Sequence, residues 1–245
     1  KNTGRYAFLE PYSASAAGGL VIGDGSGHPA PLSTVYTAGL NPTPVAEKVI
    51  GFGSVNRAKI PATRAYDGRF TDVTEAHWFY PFVERAYEMA LANGTGKTKF
   101  SPDAAFTTAQ ALTAAANIHS VYNGKTVRAA KAGEAWYLPY AEYCVENGIV
   151  GAGQFTAYDA PITRGDMAII FAGILPERDY AAVVTGAPAD VTADMACSAA
   201  VKKLFAAGIV GGDAGTGKYR PGDSIRRSEA CVIFTRIAMP AQRLG

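Results

Sequence analysis

From Phe70 onward the apolar positions of the chain recur in three sets with the same internal spacing. The first is Phe79, Phe82, Val83, Ala86, Tyr87 and Ala90; the second is Tyr137, Tyr140, Ala141, Cys144, Val145 and Gly148; the third is Cys197, Ala200, Val201, Leu204, Phe205 and Gly208. Steps of i, i+3, i+4, i+7 and i+8 put such side chains on one face of an amphipathic helix. Phe79 to Tyr137 is 58 residues and Tyr137 to Cys197 is 60, so the chain carries a repeat array. Each set runs into a Gly-containing turn ("LANGTG", "GIVGAG", "GIVGGD") and then an aromatic, Phe100, Phe155 or Tyr219. A second helix start follows: "AFTTAQALTAA" at 105–115, "PITRGDMAIIF" at 161–171 and "SIRRSEACVIF" at 224–234. Thr107-x-x-Gln110 and Thr163-x-x-Asp166 read as capping boxes, in which a hydroxyl takes a helix N–H and the later side chain reaches back. In the third segment Arg226 stands at the cap and Glu229 remains, which predicts a cap weaker by about 1 kcal/mol.

Residues 1–69 differ. Ten Gly and six Pro are scattered through them with only short apolar runs, predicting loops and short strands without a helical period. "GDGSG" reads as a tight turn, since the further acids of a calcium loop are missing. The predicted organisation is a mainly all-α protein: an N-terminal extension over 1–69, then helix–loop–helix repeats over 70–122, 123–175 and 176–245, the last with the C-terminal tail. The chain opens on Lys1, not Met, as expected if a signal peptide or longer N-terminal portion has been removed.

Composition narrows the chemistry. Lys plus Arg is 23 against 21 acids, without the dense basic excess of a nucleic-acid binder. No apolar run approaches the ~18 residues of a membrane span. Cys144, Cys197 and Cys231 form no CxxC and no metal spacing; Cys144 and Cys197 fall on apolar helix faces as core residues, and a Cys197–Cys231 bridge is left open. His28, His77 and His119 are scattered, without HxxxH or HExxH, so no metal or catalytic set is expected. "GDAGTGKY" at 212–219 fits GxxxxGK, but Tyr219 stands where a P-loop needs Ser or Thr, and a helix precedes it where a strand should. "NGTGKT" at 93–98 occupies the same turn of its repeat and lacks the leading Gly, so neither stretch is read as a nucleotide site. No cofactor is expected.

The composite F-x-D-V…W…A…G-I…G…F-x-P…I-T-R-x-E, carried by "RFTDVTEAHWFYPFVERAYE", "YCVENGIVGAGQF…DAPITRGD" and "AGIVGGDAGTGKYRPGDSIRRSEA", resembles the S-layer homology (SLH) domain, three in tandem over roughly Phe70 to Pro240. The resemblance implies a helical body in which three repeats form a pseudo-threefold bundle. It also implies extracellular anchoring to Gram-positive-type cell walls through a secondary wall polysaccharide, often pyruvylated, held in grooves between repeats. The Arg of I-T-R-x-E then meets the pyruvate carboxylate: Arg164, after Thr163, in the second repeat and Arg227 in the third. In the first repeat Thr108 and Gln110 replace the motif Arg and Glu, so at most two grooves are expected to be competent. Trp78 and Trp136 match the family tryptophan, stacking on a sugar or filling the core, and Ala196 takes that place in the third repeat. Asp72 and Asp190 match the acid of "D-V", as helix caps or hydroxyl acceptors. Gly94, Gly151 and Gly211 match the second turn glycine, for backbone conformation and close ligand approach.

An Arg in the first turn of a helix opposes the helix dipole by about 0.3–1 kcal/mol. With a carboxylate bound, the helix N-terminus and the forked guanidinium act together. The expected function is therefore a non-catalytic wall anchor. The alternative is a structural subunit of a surface lattice or appendage assembled through residues 1–69, and homo-oligomers fit either reading. A wall-acting enzyme would need a carboxylate pair from residues such as Glu84, Glu88 or Glu146, which lie on predicted helix faces as solvated charges. No enzyme activity is expected.

Overall fold

The computed structural model describes residues 60–245. The Gly- and Pro-rich stretch through residue 59, and His28 within it, lie outside the described residues. Six α-helices form among the described residues: α1 (Tyr80–Glu88), α2 (Thr108–Asn123), α3 (Leu138–Glu146), α4 (Arg164–Ala172), α5 (Ser198–Ala206) and α6 (Arg227–Ala238). Two 3-10 turns, Glu177–Tyr180 and Pro240–Gln242, complete the regular structure. No strand forms among these residues, and β pairing is limited to isolated bridges. The described residues are thus mainly helical, in three helix–turn–helix segments at the spacing of the apolar sets.

The first helix of each segment stops in the same way. Ala90, Gly148 and Gly208 are left-handed, with φ of 58°, 69° and 68°. The following Leu91, Ile149 and Ile209 donate their N–H groups back to the carbonyls of Ala86, Cys144 and Leu204 at 2.9, 2.8 and 2.9 Å. This is a Schellman stop, with an apolar residue tucked under the helix end. The last member of each apolar set is therefore a stop signal, and its side chain does not extend the helix face.

The second helices begin on caps that follow the predictions only in part. Thr107 accepts from the Gln110 N–H at 3.3 Å and donates its own N–H to Gln110 Oε1 at 3.3 Å, a full capping box. At α4, Thr163 Oγ1 accepts from the Asp166 N–H at 3.0 Å, but the Asp166 carboxylate takes the Thr163 hydroxyl and not the cap N–H. Asp is one methylene shorter than the Glu or Gln of a capping box, so the reciprocal half is replaced. At α6 the reverse holds: Arg226 offers no acceptor, and only its N–H reaches Glu229 Oε2, at 3.4 Å.

A closed ring of backbone hydrogen bonds joins the segments just before these helices. Phe106 N–H donates to the Ile225 carbonyl at 2.9 Å, Ile225 to Ile162 at 3.3 Å, and Ile162 to Phe106 at 2.8 Å. Outside the ring, the first two N–H groups of each second helix find carbonyls on the loop of another segment. Thr108 and Ala109 meet Ala160 and Tyr158; Arg164 and Gly165 meet Asp223 and Pro221; Arg227 and Ser228 meet Ala104 and Pro102. Helix N-termini leave such donors unsatisfied, and here the neighbouring segment supplies every acceptor.

Helix packing follows the same cycle: α3 lies on α2, α5 on α4, and α1 on α6. Phe171 and Phe234, at equivalent places in α4 and α6, meet in the centre at 5.5 Å. The corresponding place in α2 is the small Ala115, and the large Phe106 of the ring fills against Phe234 at 5.5 Å. Such volume exchange keeps a core close-packed. Cys144, Cys197 and Cys231 are buried free thiols, and no Cys197–Cys231 bridge forms. Burial pushes the Cys144 and Cys231 thiols up to about 12, so both behave as apolar residues. Residues 60–69 belong to the same compact unit, where Thr63 N–H and the Arg64 guanidinium hold the Glu88 and Tyr87 carbonyls at the end of α1.

Ala90 is the one left-handed helix stop that is not glycine. An L-residue costs roughly 1–2 kcal/mol there, against a backbone-entropy cost for glycine of roughly 0.5–1 kcal/mol. Ala90→Gly is expected to raise the stability by about 0.5–1 kcal/mol and the melting temperature by about 2 °C, read by calorimetry or urea titration.

Candidate functional site

Arg164 and Arg227 each occupy the first helical position of their helix and reach across to another segment. Arg227 is 7% exposed. Its Nε donates to the Phe100 carbonyl at 3.0 Å, its Nη2 to the Asn93 carbonyl at 2.6 Å, and its guanidinium lies 4.6 Å above the Phe100 ring. No carboxylate pairs with it among the described residues, and burial lowers its pKa. Arg164 makes the equivalent reach: Nε to the Tyr219 carbonyl at 2.7 Å and the guanidinium 4.8 Å over the Tyr219 ring. It differs in having a partner, since Nη1 is 2.7 Å from Glu229 Oε1. Both arginines therefore clamp segments together, and Arg227 also brings a charge that no carboxylate among the described residues pairs with. Truncating Arg227 would orphan two carbonyls beside a buried helix end, so its removal bears on the fold.

Two grooves grow around these arginines, each with a cavity volume of about 260 Å³. Groove A is lined by Arg164, the turn from Ile209 to Gly212, the Glu229 and Arg236 side of α6, and Trp78. Groove B is lined by Arg227, the turn from Leu91 to Thr95, Gln110 and Thr113 of α2, and Trp136. Each groove thus draws on all three segments: a turn and second helix from one, an arginine from a second and a tryptophan from the third. The volume lies just under the roughly 300–1,000 Å³ of pockets for drug-sized ligands, suiting one terminal residue of a longer chain.

Trp78 and Trp136 are 63% and 53% exposed, so the core alternative for these side chains is not realised; both stand at groove rims. Gly94 and Gly211 line grooves B and A. A Cβ on Gly94 would come within 2.6 Å of the Lys99 carbonyl and of the Phe70 ring, so glycine is what lets that turn close. At Gly211 the nearest atom is Leu244 Cδ1, at 3.0 Å.

The third interface has the same backbone pattern without the chemistry. Its place for arginine holds Thr108, which is buried, and its place for tryptophan holds Ala196. The two losses noted separately in the sequence fall together, because α5 lies on α4 as α1 lies on α6. Gly151, in the turn there, donates its N–H to Gln154 Oε1 at 2.8 Å. Thr163 is engaged in capping α4.

Asp72 and Asp190 line neither groove. Asp72 accepts from the Phe100 and Ser101 N–H groups, both at 2.9 Å; Asp190 accepts from those of Tyr219 and Arg220 at 2.8 and 2.7 Å. These contacts secure Ser101 and Arg220 in left-handed conformations, with φ of 59° and 56°. The buried aromatic before each then lies under the arginine from the neighbouring segment. Burial works to raise both carboxyl pKa values, but the paired N–H groups outweigh it and the net shift is downward. The middle segment has no such acid and ties its approach to α3 with Arg128, which pairs with Glu134 and Glu142.

His77 stacks on Phe79 and accepts the Thr74 N–H, while His119 meets the Tyr143 hydroxyl at 3.0 Å. Among the described residues no His, Cys, Asp and Glu gather as metal ligands. The 212–219 stretch is a turn in which Asp213 accepts from the N–H and hydroxyl of Thr216.

Residues 69–112 and 189–231 match the S-layer homology domain family. Both are segments that carry the Asp contact. Over 169 residues, 66% of the chain, the sequence is 26% identical to the surface-layer 125 kDa protein of Lysinibacillus sphaericus. The chain spans 13% of that relative's length.

Because Asp72 and Asp190 titrate below the unfolded value near 3.9, their stabilisation is complete above that value and is lost as pH falls through the lower folded value. The double variant Asp72→Asn, Asp190→Asn is expected to unfold at lower urea than the parent at neutral pH, with the difference shrinking as the pH falls through the lowered folded-state values of the two carboxyls.

Proposed function

We propose that this chain is a non-catalytic cell-wall anchoring module of three SLH repeats, over 70–122, 123–175 and 176–245, in a pseudo-threefold body at the cell surface. Its ligand is a secondary wall polysaccharide whose terminal residue carries a carboxylate, as a pyruvate ketal does. The observation that carries this reading is that the two grooves holding an arginine are also the two with an exposed tryptophan at the rim. An indole face suits the apolar face of a sugar, and a guanidinium suits its carboxylate. The match to the S-layer homology domain and the likeness to a surface-layer protein support placement at the wall.

A second reading, favoured by the name of that relative, is a subunit of a surface lattice assembled through residues 1–69. It predicts sheets or filaments from purified protein that disappear when 1–69 are deleted.

The test of the anchor reading is sedimentation with cell walls, intact and stripped of secondary polysaccharide. Binding to intact walls alone is expected; equal binding to both would reject the polysaccharide as ligand. Because both tryptophans are exposed, Trp78→Ala with Trp136→Ala should weaken wall binding at least about tenfold while shifting the melting temperature by no more than about 2 °C.

A further inference from the structure

Groove A contains a charge that the family motif does not account for. Arg236 lies in the last turn of α6, on the face that carries Glu229, Val232 and Ile233 into the groove. Those steps of i, i+3, i+4 and i+7 make one helix stripe. Among the described residues its side chain makes a single hydrogen bond, a long one from Nη1 to the Ile209 carbonyl at 3.4 Å. Its Nε is buried with no partner, and no carboxylate among the described residues forms an ion pair with it. A helix C-terminus tolerates such a cation in the free protein, and burial lowers its pKa. By contrast, Arg164 is engaged: Nε holds the Tyr219 carbonyl, Nη1 holds Glu229, and the other Glu229 oxygen takes the Arg226 N–H.

The equivalent positions elsewhere sharpen the point. Counting from the first helical residue, the places of Glu229 and Arg236 in α6 correspond to Gln110 and Asn117 in α2. Groove B therefore has one arginine and no acid, with neutral amides at both other places. Groove A has two arginines against one glutamate. Each keeps a single excess positive charge, but in groove B it resides on Arg227 and in groove A on Arg236. At the third interface the same places hold Thr108, Asp166 and Gly173, so the excess is negative.

We propose that Arg236 is the anion-binding residue of groove A, taking the carboxylate of an acidic sugar, while Arg164, neutralised by Glu229, is a positioning residue that fixes the groove wall. This rests on the saccharide-binding reading above. Arg236 is absent from the sequence motif because it lies outside the I-T-R-x-E stretch, and only the helix period brings it onto the same stripe as Glu229.

The chain contains two tryptophans, one at each groove, so each groove can report separately. In full-length protein carrying Trp136→Phe, Trp78 fluorescence would be followed during titration with a methyl mannoside bearing a 4,6-linked pyruvate ketal, and with its neutral methyl ester. Arg236→Gln is expected to weaken acid binding at least about tenfold and to abolish the preference for acid over ester. Arg236→Lys, which keeps the charge, should restore much of that preference and shows that folding is not the cause. Trp136 in the Trp78→Phe protein should respond equally with and without Arg236→Gln. Unchanged acid binding at Trp78 in Arg236→Gln would overturn the assignment, as would a Trp78 that never responds. If Trp136 still responds in those cases, the saccharide reading stands and only the role of Arg236 falls; silence at both tryptophans would remove the saccharide reading as well.

Discussion

Three backbone hydrogen bonds, Phe106 to Ile225, Ile225 to Ile162 and Ile162 to Phe106, organise everything else in this protein. Each is ordinary in strength, about 1 kcal/mol net. Their importance is geometric, because closing the triangle fixes where three helices begin. Once those starts are fixed, the exposed N–H groups of each helix face a loop of another segment, and the arginines at those starts have a single direction in which to extend. The grooves are the space left between the arginine, the turn beneath it and the helix that arrives from the third segment.

The architecture also explains why the segments are interdependent. In each, the first helix packs on the second helix of another segment and not on its own. A lone segment would leave both apolar faces open and its helix N-termini unsatisfied. Small apolar faces such as Ala141 with Cys144, or Val201 with Leu204, bury too little to stand by themselves. Stability is therefore a property of the closed cycle, with Phe106, Phe171 and Phe234 packed at its centre.

Much of this was legible in the sequence. The apolar period located the first helices, the capping residues located the second ones, and the loss of arginine at Thr108 and of tryptophan at Ala196 could both be seen. What the sequence could not convey was which segment faces which. Helical periodicity reports one face of one element, whereas the coincidence of Thr108 and Ala196 at one interface depends on the exchange of helices between segments. The roles of Asp72 and Asp190 were hidden for a similar reason: a carboxylate holding N–H groups 28 to 30 residues away has no local signature. Ala90 was read as the end of a helix face because alanine carries no mark of a left-handed turn, while Gly148 and Gly208 do. Arg236 escaped attention because a basic residue near a helix C-terminus is ordinary, and its isolation from any acid is visible only in three dimensions.

The cycle also has a seam. The chain itself connects the first segment to the second and the second to the third, but nothing covalent joins the third to the first. That junction is held by α1 on α6, by the bond from Phe106 to Ile225, and by Arg227 on Asn93 and Phe100, residues more than a hundred positions apart in the chain. Groove A crosses it through Trp78, and groove B crosses it through Arg227. The blank third interface does not. Any ligand that fills groove A or B therefore requires the seam to be shut, and by mass action it adds its binding free energy to the one junction between segments that no chain link spans. Occupancy and integrity are thermodynamically linked, so the protein is most resistant to opening while it is bound.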